Sequence, residues 1–161
     1  NSTMDRDNAD SYYYFKPEVY QRILYDLDTE AQFFYAELDN KVIAASIILG
    51  ANHRLNYHLS GSLKEYQHLA PTNLLLYQAA AWGYANGYTT FHLGGGVGSR
   101  EDSLYKFKKA FYRGESCCFH VGKRIYVKEK YNELVSMRND VEDNGFFPLY
   151  RIAKDKRMPK Y

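Results

Sequence analysis

The sequence predicts an α+β fold in which a central mixed, largely antiparallel sheet is flanked by helices. Three observations support this class. Three consecutive segments have the apolar or alternating pattern of strands, two long segments have helical spacing, and a glycine-rich turn separates a further strand from a further helix. Their order places one strand–helix–strand crossover after an antiparallel meander. We expect the 161 residues to form one domain, since domains commonly span about 100–200 residues.

The first predicted helix covers residues 12–27. Pro17 suits a first helical turn, because proline lacks the N–H that this turn leaves unbonded. The apolar residues after it recur at helical spacing and therefore share one face. They are Val19, Ile23, Leu24 and Leu27.

Three predicted strands follow as a meander. Residues 33–38 and 41–49 are apolar and flank Asp39-Asn40, a two-residue sequence typical of tight hairpins. In residues 54–60 apolar and polar side chains alternate, which predicts two distinct faces. One face holds Leu55, Tyr57 and Leu59, and the other holds Asn56 and His58.

The second half of the chain alternates helices and strands. A helix over residues 71–86 is predicted to begin at Pro71 and to stop at Gly87. A helix over residues 102–113 has Asp102 or Ser103 as its N-cap. The other predicted elements are a strand at 88–93, a strand at 117–127, a short helix at 129–141 and a last strand at 146–152.

Composition and charge narrow the class of protein. The sequence lacks a run of 18 apolar residues, which excludes a membrane-spanning helix. Residues 1–99 carry 6 Lys/Arg and 10 Asp/Glu, and residues 100–161 carry 15 Lys/Arg and 9 Asp/Glu. The basic C-terminal part favours a phosphate-bearing partner such as a nucleotide, CoA or tRNA, although a solvated basic surface fits it equally well.

Cysteine and histidine usage points away from metal and thiol chemistry. Cys117 and Cys118 are adjacent on a predicted strand, so they point to opposite faces and are expected to be packing residues in a reducing, cytoplasmic compartment. The five histidines show no metal-ligand spacing. His58 and His92 are expected to be hydrogen-bonded residues of the sheet. We therefore predict no metal site.

A glycine cluster, Gly94, Gly95, Gly96 and Gly98, lies between a predicted strand and a predicted helix. Its unhindered amides can cradle an anion at the start of the helix or leave room for a substrate. An ordinary tight turn explains the same glycines, and the sequence lacks the Gly-Lys-Ser/Thr of a nucleotide-binding P-loop.

Lysines 106, 108 and 109 lie on the helix that follows the glycines, and they cannot all share one face. A partly desolvated ammonium there can stabilise an oxyanion or bind phosphate. The pattern alone favours a solvated basic helix.

Three segments, in this order and spacing, resemble one family. The first is Thr3-Met4-Asp5-Arg6-Asp7-Asn8-Ala9 followed by Tyr13-Tyr14-Phe15. The second is Tyr57-His58-Leu59-Ser60-Gly61 with Pro71, Leu74, Leu75 and Ala79 downstream. The third is Phe91-His92-Leu93-Gly94-Gly95 followed by Leu104-Tyr105-Lys106-Phe107-Lys108-Lys109-Ala110-Phe111. Together they resemble the FemAB-like acyltransferases of the GCN5-related N-acetyltransferase (GNAT) superfamily, from about residue 3 to residue 128. The resemblance implies a GNAT-like fold and transfer of an acyl or aminoacyl group to an amine.

The same resemblance implies donors, acceptors and site residues. FemAB-like enzymes have two GNAT-like domains and move an amino acid from aminoacyl-tRNA to a peptidoglycan precursor, whereas related members use acyl-CoA. This chain resembles the second domain, so an upstream GNAT-like domain and a cytoplasmic site, including the inner membrane surface, are expected. Lys108 and Phe107 correspond to the catalytic pair. Tyr57 corresponds to an acceptor-pocket residue, and Arg6 to a residue that holds precursor phosphates.

Two departures from the family pattern keep other functions open. His92 stands where Asp is usual before the glycines. The GNAT pyrophosphate loop corresponds to residues 63–70, which contain no glycine. The alternatives are an acetyl-CoA-dependent N-acetyltransferase and a non-catalytic GNAT-shaped domain that binds a substrate or a partner. The absence of an initiator Met predicts a processed chain or a part of a longer protein.

Overall fold

A computed structural model describes residues 2–6, 11–97, 100–138, 142 and 145–152. The chain divides into two compact units at Gly94 and Gly95. The first unit contains the whole of the sheet, and the second contains two short helices. Among the described residues, no helix is long and apolar enough to cross a membrane.

The first unit is built on a four-stranded sheet in the order β1-β2-β3-β4. The strands are β1 (Ala31–Leu38), β2 (Lys41–Ala51), β3 (Arg54–Ser62) and β4 (Thr90–His92). The first three pair antiparallel, and β4 pairs parallel to β3. The predicted α+β class and its mixed, largely antiparallel sheet are confirmed.

Both turns of the meander have backbone geometry that short polar residues tolerate. Asp39 and Asn40 have φ of 50° and 62°, and Asn52 and His53 have φ of 49° and 59°. Two consecutive positive φ values define the tight hairpin whose twist matches that of the strands. The first turn was predicted at these residues, and the second has the same geometry.

The described residues form five α-helices. They are α1 (Ser2–Arg6), α2 (Pro17–Asp26), α3 (Pro71–Ala85), α4 (Ser103–Lys109) and α5 (Lys128–Ser136). Short 3-10 helices occupy Ser11–Tyr13, Lys64–Leu69 and Leu149–Arg151. The crossover helix α3 agrees closely with its prediction, and Gly87 ends the segment with a φ of 78°.

The predicted first helix is shorter than expected and less buried. It begins at Pro17, because Lys16 has the extended backbone (φ −72°, ψ 154°) that a following proline imposes. Its apolar face is only partly covered within the described chain, where Ile23 is half-buried. Val19, Leu24 and Leu27 are 38%, 50% and 37% exposed.

The second unit contradicts several predictions. Residues 117–127 and 146–152 form no strand. Their apolar pattern has no neighbouring strand to pair with among the described residues, and Phe119 and Val121 are exposed. Pro148 also has no N–H to donate to a sheet, and Leu149–Arg151 form a 3-10 turn.

The burial of the two cysteines and the ends of two helices also differ from their predictions. Cys117 and Cys118 are exposed rather than packed, since the strand expected to bury them does not form. The helix predicted over 102–113 ends at Lys109. The helix predicted over 129–141 ends at Ser136, and residues 139–141 lie outside the described part of the chain.

Helix α3 covers one face of the sheet and makes the core. One buried cluster joins Ala36, Ile43 and Ala44 to Leu75. A second joins Ile48 and Leu55 to Ala79, with Tyr57, Trp82, Tyr88 and Phe91 packed around it. Phe34 contacts both clusters, so they form one continuous apolar layer between the sheet and α3.

A β-bulge at His58 changes the face of the residues that follow it. Ile48 pairs with Tyr57, but Ile47 pairs with Leu59, so His58 is the extra residue of β3. Leu59 therefore shares the face of Ile47, opposite the face of Tyr57. The simple alternation predicted for residues 54–60 is wrong at Leu59, because a bulge shifts the period-two pattern by one residue.

The hydroxyl of Ser46 is a weak point of this core. Ser46 is 2% exposed, and its Oγ has no hydrogen-bond partner among the described residues. We expect Ser46→Ala to raise the free energy of unfolding by about 1 kcal/mol, because it removes a buried, unbonded polar group. Urea unfolding measures this change.

Ser60→Ala is the matched control for that substitution. Ser60 is opposite Ser46 on β3, and its Oγ donates to the carbonyl of Ala45 at 3.2 Å. The same chemical change there should lower the free energy of unfolding by about 1 kcal/mol or less, because it deletes a hydrogen bond. Equal signs for the two variants would contradict the assignment of Ser46.

Candidate functional site

Strands β3 and β4 pair only at one end. The parallel pairs are Arg54 with Thr90, Leu55 with Phe91, and Asn56 with His92. Strand β4 ends at His92, whereas β3 continues to Ser62. Beyond Asn56, the outer edge of β3 has no strand partner in the described ranges. Its bulge lies at the point where the two strands part.

The far end of this edge is held by α1. The Ser62 N–H donates to Thr3 Oγ1 at 3.3 Å, and the Arg6 guanidinium donates to the Ser62 carbonyl, also at 3.3 Å. Both backbone groups of Ser62 therefore face away from β2. Since backbone direction repeats every second residue of a strand, the N–H and C=O of Ser60 face the same edge. We call this edge, residues 57–61, the β3 gap.

Tyr57 begins the β3 gap and is anchored in the core. It packs against the cluster of Ile48, Leu55 and Ala79. Burial raises the pKa of the Tyr57 phenol, and a hydrogen bond with Ser60 acts in the opposite direction. The phenol therefore stays protonated at neutral pH and can donate or accept a hydrogen bond. Its predicted role in binding the acceptor stays a prediction.

The glycine turn folds around a carboxylate of its own. Asp102 caps α4 by accepting from the Tyr105 N–H at 2.8 Å, and it also accepts from the Val97 N–H at 2.9 Å. These backbone hydrogen bonds lower the pKa of Asp102, with the Tyr105 bond the larger cause. The Val97 amide, expected to be available to a bound anion, is thus already used inside the protein.

Two of the predicted glycines have clear structural reasons. Gly94 has a φ of 76°, which favours glycine. A Cβ on Gly96 would overlap the Arg100 carbonyl and the Asp102 carboxylate. Gly95 is different, because a Cβ there meets no atom within 4 Å. Gly98 lies outside the described residues.

Lys108 is set apart from its neighbours on α4. Its Nζ donates to the Gly95 carbonyl at 2.9 Å, and its side chain is half-buried. Burial lowers the pKa of Lys108, and the nearby Asp102 carboxylate partly offsets the shift. Lys106 is exposed. Phe107 packs edge-on against Phe111, with ring centres 5.4 Å apart.

The structure joins the predicted residues into two groups. In the second unit, Lys108 donates to the Gly95 carbonyl, and Gly96 packs closely against Asp102. The negative charge of Asp102 acts to raise the pKa of Lys108. In the first unit, Tyr57 and Arg6 lie at the two ends of the β3 gap. Sequence reasoning missed the gap itself, because neither the bulge nor the length of the β3–β4 pairing leaves a mark in the sequence.

The turn at residues 63–70 has little backbone to offer a pyrophosphate. It forms the 3-10 helix Lys64–Leu69, in which the Tyr66 N–H donates to Leu63 and the Ala70 N–H donates to Gln67. Lys41 contacts Glu65 and lies 4.9 Å from the centre of the Tyr66 ring. The described residues also contain no cluster of three or more metal-ligating side chains.

Comparison with protein families identifies a family to which this sequence belongs. The sequence matches a family described as an acetyltransferase (GNAT) domain over residues 2–109. That range includes the whole sheet and α4. No curated protein matches the chain in sequence.

Two solved structures are similar to this chain in fold. One is an aminoglycoside acetyltransferase from an uncultured soil metagenomic sample in complex with trehalose, with TM-score 0.53 and 14% identity over 76% of this chain and 82% of that chain. The other is the aminoglycoside N-acetyltransferase AAC(6')-Iy in complex with CoA, with TM-score 0.47 and 11% identity over 68% of this chain and 93% of that chain. The first confirms the predicted fold.

Gly96 and Gly95 provide a matched test of the glycine turn. We expect Gly96→Ala to lower the free energy of unfolding by about 1–3 kcal/mol, because its Cβ would overlap backbone and carboxylate oxygens. Gly95→Ala should change it by less than about 0.5 kcal/mol, because the Cβ meets open space. Thermal unfolding measures both. Equal stability of the two variants would contradict the close packing at Gly96.

Proposed function

The chain belongs to the acetyltransferase (GNAT) domain family, and we propose that it transfers an acetyl group from acetyl-CoA to an amine. The β3 gap is the observation that carries this proposal. The pantetheine arm of CoA is an extended chain with two amide groups, and such a chain can pair with an unpartnered strand edge as another strand does. Ser60 supplies the backbone N–H and C=O for that pairing.

The reaction needs three things from the protein. The amine nitrogen attacks the thioester carbonyl, a C–N bond forms, the C–S bond breaks, and the thiolate leaves with the proton that the amine loses. The protein must hold the two reactants in line, keep the amine neutral, and stabilise the oxyanion that develops. We propose no covalent intermediate and no metal.

Lys108 is the residue that we propose for the oxyanion. Its ammonium is half-buried and fixed by the Gly95 carbonyl, so it provides a positioned positive charge with little reorganisation. Phe107 is proposed as a wall of the acyl site, and Tyr57 as the group that orients the amine. These assignments follow the family resemblance and do not depend on the β3 gap.

A second candidate is aminoacyl transfer of the FemAB type, with aminoacyl-tRNA as donor and a peptidoglycan precursor as acceptor. One observation favours it. The turn at residues 63–70 uses its amides internally, which weakens the case for a bound CoA pyrophosphate. The comparisons name acetyltransferases and not FemAB proteins, so acetyl transfer is the better supported function.

Calorimetric titration of acetyl-CoA tests the donor. We expect micromolar binding, and we expect S-acetylpantetheine to bind within about tenfold of acetyl-CoA, because the gap holds the arm rather than the nucleotide. If acetyl-CoA binds but S-acetylpantetheine, which lacks the nucleotide, does not, the proposed role of the β3 gap is contradicted. If neither compound binds, the aminoacyl or non-catalytic alternatives gain support.

Lys108→Ala tests the proposed charge. We expect the rate of acetyl transfer to fall by about a hundredfold, the scale seen when one oxyanion donor is removed, while the thermal unfolding temperature stays close to that of the parent. Lys106→Ala is the control, because Lys106 is exposed on the same helix. Full activity of Lys108→Ala would remove the proposed role.

The rate of acetyl transfer should fall at alkaline pH. A cationic Lys108 is needed, and its pKa is lowered by burial, so the rate should fall as the pH rises through that lowered pKa. The pH–rate profile of Lys108→Arg should lack this alkaline limb, because a guanidinium stays charged.

A further inference from the structure

A cavity of about 240 Å³ lies within the first unit, on the sheet face away from α3. Its floor is a row of three apolar side chains in register. Phe33 on β1 is opposite Ile47 on β2, and Ile47 is opposite Leu59 on β3. The adjacent Ile48 points the other way into the α3 core, which places this row on the face away from α3.

The bulge at His58 completes this floor. If His58 were paired as in a regular strand, Leu59 would lie on the face of Tyr57 and the row would end at Ile47. The next row along the strands contains Ala45 and Gly61, which pair with each other and give the cavity its depth. The same bulge thus shapes both the edge of β3 and the cavity beside it.

The walls come from the N-terminal segment and are mostly aromatic. They include Met4 of α1, Tyr13, Phe15 and Tyr20 of α2. The rings of Phe15 and Tyr20 meet edge-on, with centres 6.4 Å apart. Thr3, which bonds the Ser62 N–H, also reaches the cavity.

The lining indicates the chemistry of a ligand. Among the described residues that line the cavity, none is charged, and the polar side chains are hydroxyls. An apolar cavity of roughly 150 Å³ accepts benzene, so one of about 240 Å³ accommodates a ring with a short chain. A polycation would lose hydration there, and the described lining residues offer it no carboxylate in return.

The position of the cavity indicates which part of a ligand enters it. Its lining includes Ser60 and Gly61, which belong to the β3 gap. An ammonium is disfavoured deep in an apolar cavity, so an amine would place its apolar body inside and its nitrogen at this edge. Partial desolvation at the edge also favours the neutral amine that the reaction needs.

We propose that this cavity binds the apolar body of the acceptor, a primary amine on an arylalkyl or short branched alkyl group with no second charge. The inference rests on the proposed function, in which the nitrogen at the Ser60–Gly61 edge displaces the thiolate of acetyl-CoA. It differs from the substrate class in the names of the two similar structures, since aminoglycosides are polycationic.

The test measures binding to the full chain by calorimetry, with 2-phenylethylamine as the apolar probe and kanamycin as the polycation. We expect 2-phenylethylamine to bind at least about tenfold more tightly than kanamycin. Ala45→Leu should weaken 2-phenylethylamine binding about tenfold or more, because the larger side chain fills the cavity. Ala45 lines the cavity and is itself exposed, so the substitution leaves the buried core intact.

Ala80→Leu, at an exposed position of α3, is the control and should bind the probe within twofold of the parent. If Ala45→Leu does not fold, Ala45→Val takes its place, since β-branched residues suit a strand. Unchanged binding in the folded Ala45 variant, or tighter binding of kanamycin, would overturn the proposal.

Two further binding measurements distinguish a failure of the proposed acceptor cavity from a failure of the proposed acetyl transfer. If hexanoyl-CoA displaces 2-phenylethylamine and acetyl-CoA does not, the cavity holds an acyl chain, and its assignment to the acceptor is overturned. A second result is that acetyl-CoA does not bind, whereas 2-phenylethylamine binds and Ala45→Leu weakens its binding as expected. The ligand class proposed for the cavity is then supported, and the proposed transfer from acetyl-CoA is contradicted.

Discussion

The extra residue at His58 is the constraint on which the first unit depends. One inserted residue in β3 lets Tyr57 and Leu55 join the core under α3 while Leu59 joins Phe33 and Ile47 on the other face. A regular strand would send Leu59 to the α3 side. Since bulges bend a strand and increase its twist, the same insertion favours the parting of β3 from β4 beyond Asn56.

An unpaired strand edge inside a protein needs partners for its polar groups, because an unbonded buried N–H or C=O is costly. The protein meets this need at the two ends of the β3 gap, through His92 of β4 and through Thr3 and Arg6 of α1. Arg6 therefore has a structural contact as well as the phosphate-binding role that the resemblance implies. Among the described residues no strand pairs with the middle of this edge, which is the place that we propose for the extended arm of the donor.

The structural features that could be predicted from the sequence are those set by a few neighbouring residues. The Asp39-Asn40 hairpin, the start of α3 at Pro71 and the Asp102 cap were found because each depends on one or two residues with strong backbone preferences. The bulge and the gap depend on how whole strands pair, which one sequence does not show. The strand predicted over residues 117–127 failed for the same reason, since an apolar pattern becomes a strand only where another strand offers its edge.

The lysines of α4 show the same limit within the candidate site. Sequence could only say that Lys106, Lys108 and Lys109 do not share a face; the structure shows that Lys109 bonds the Gly114 carbonyl, whereas Lys108 bonds Gly95. Burial works against the Lys108 ammonium, and the Asp102 carboxylate works for it. Because backbone N–H bonds lower the pKa of Asp102, that carboxylate stays ionised down to a lower pH than usual. Its support for the Lys108 charge therefore persists through neutral pH and is lost only on acidification.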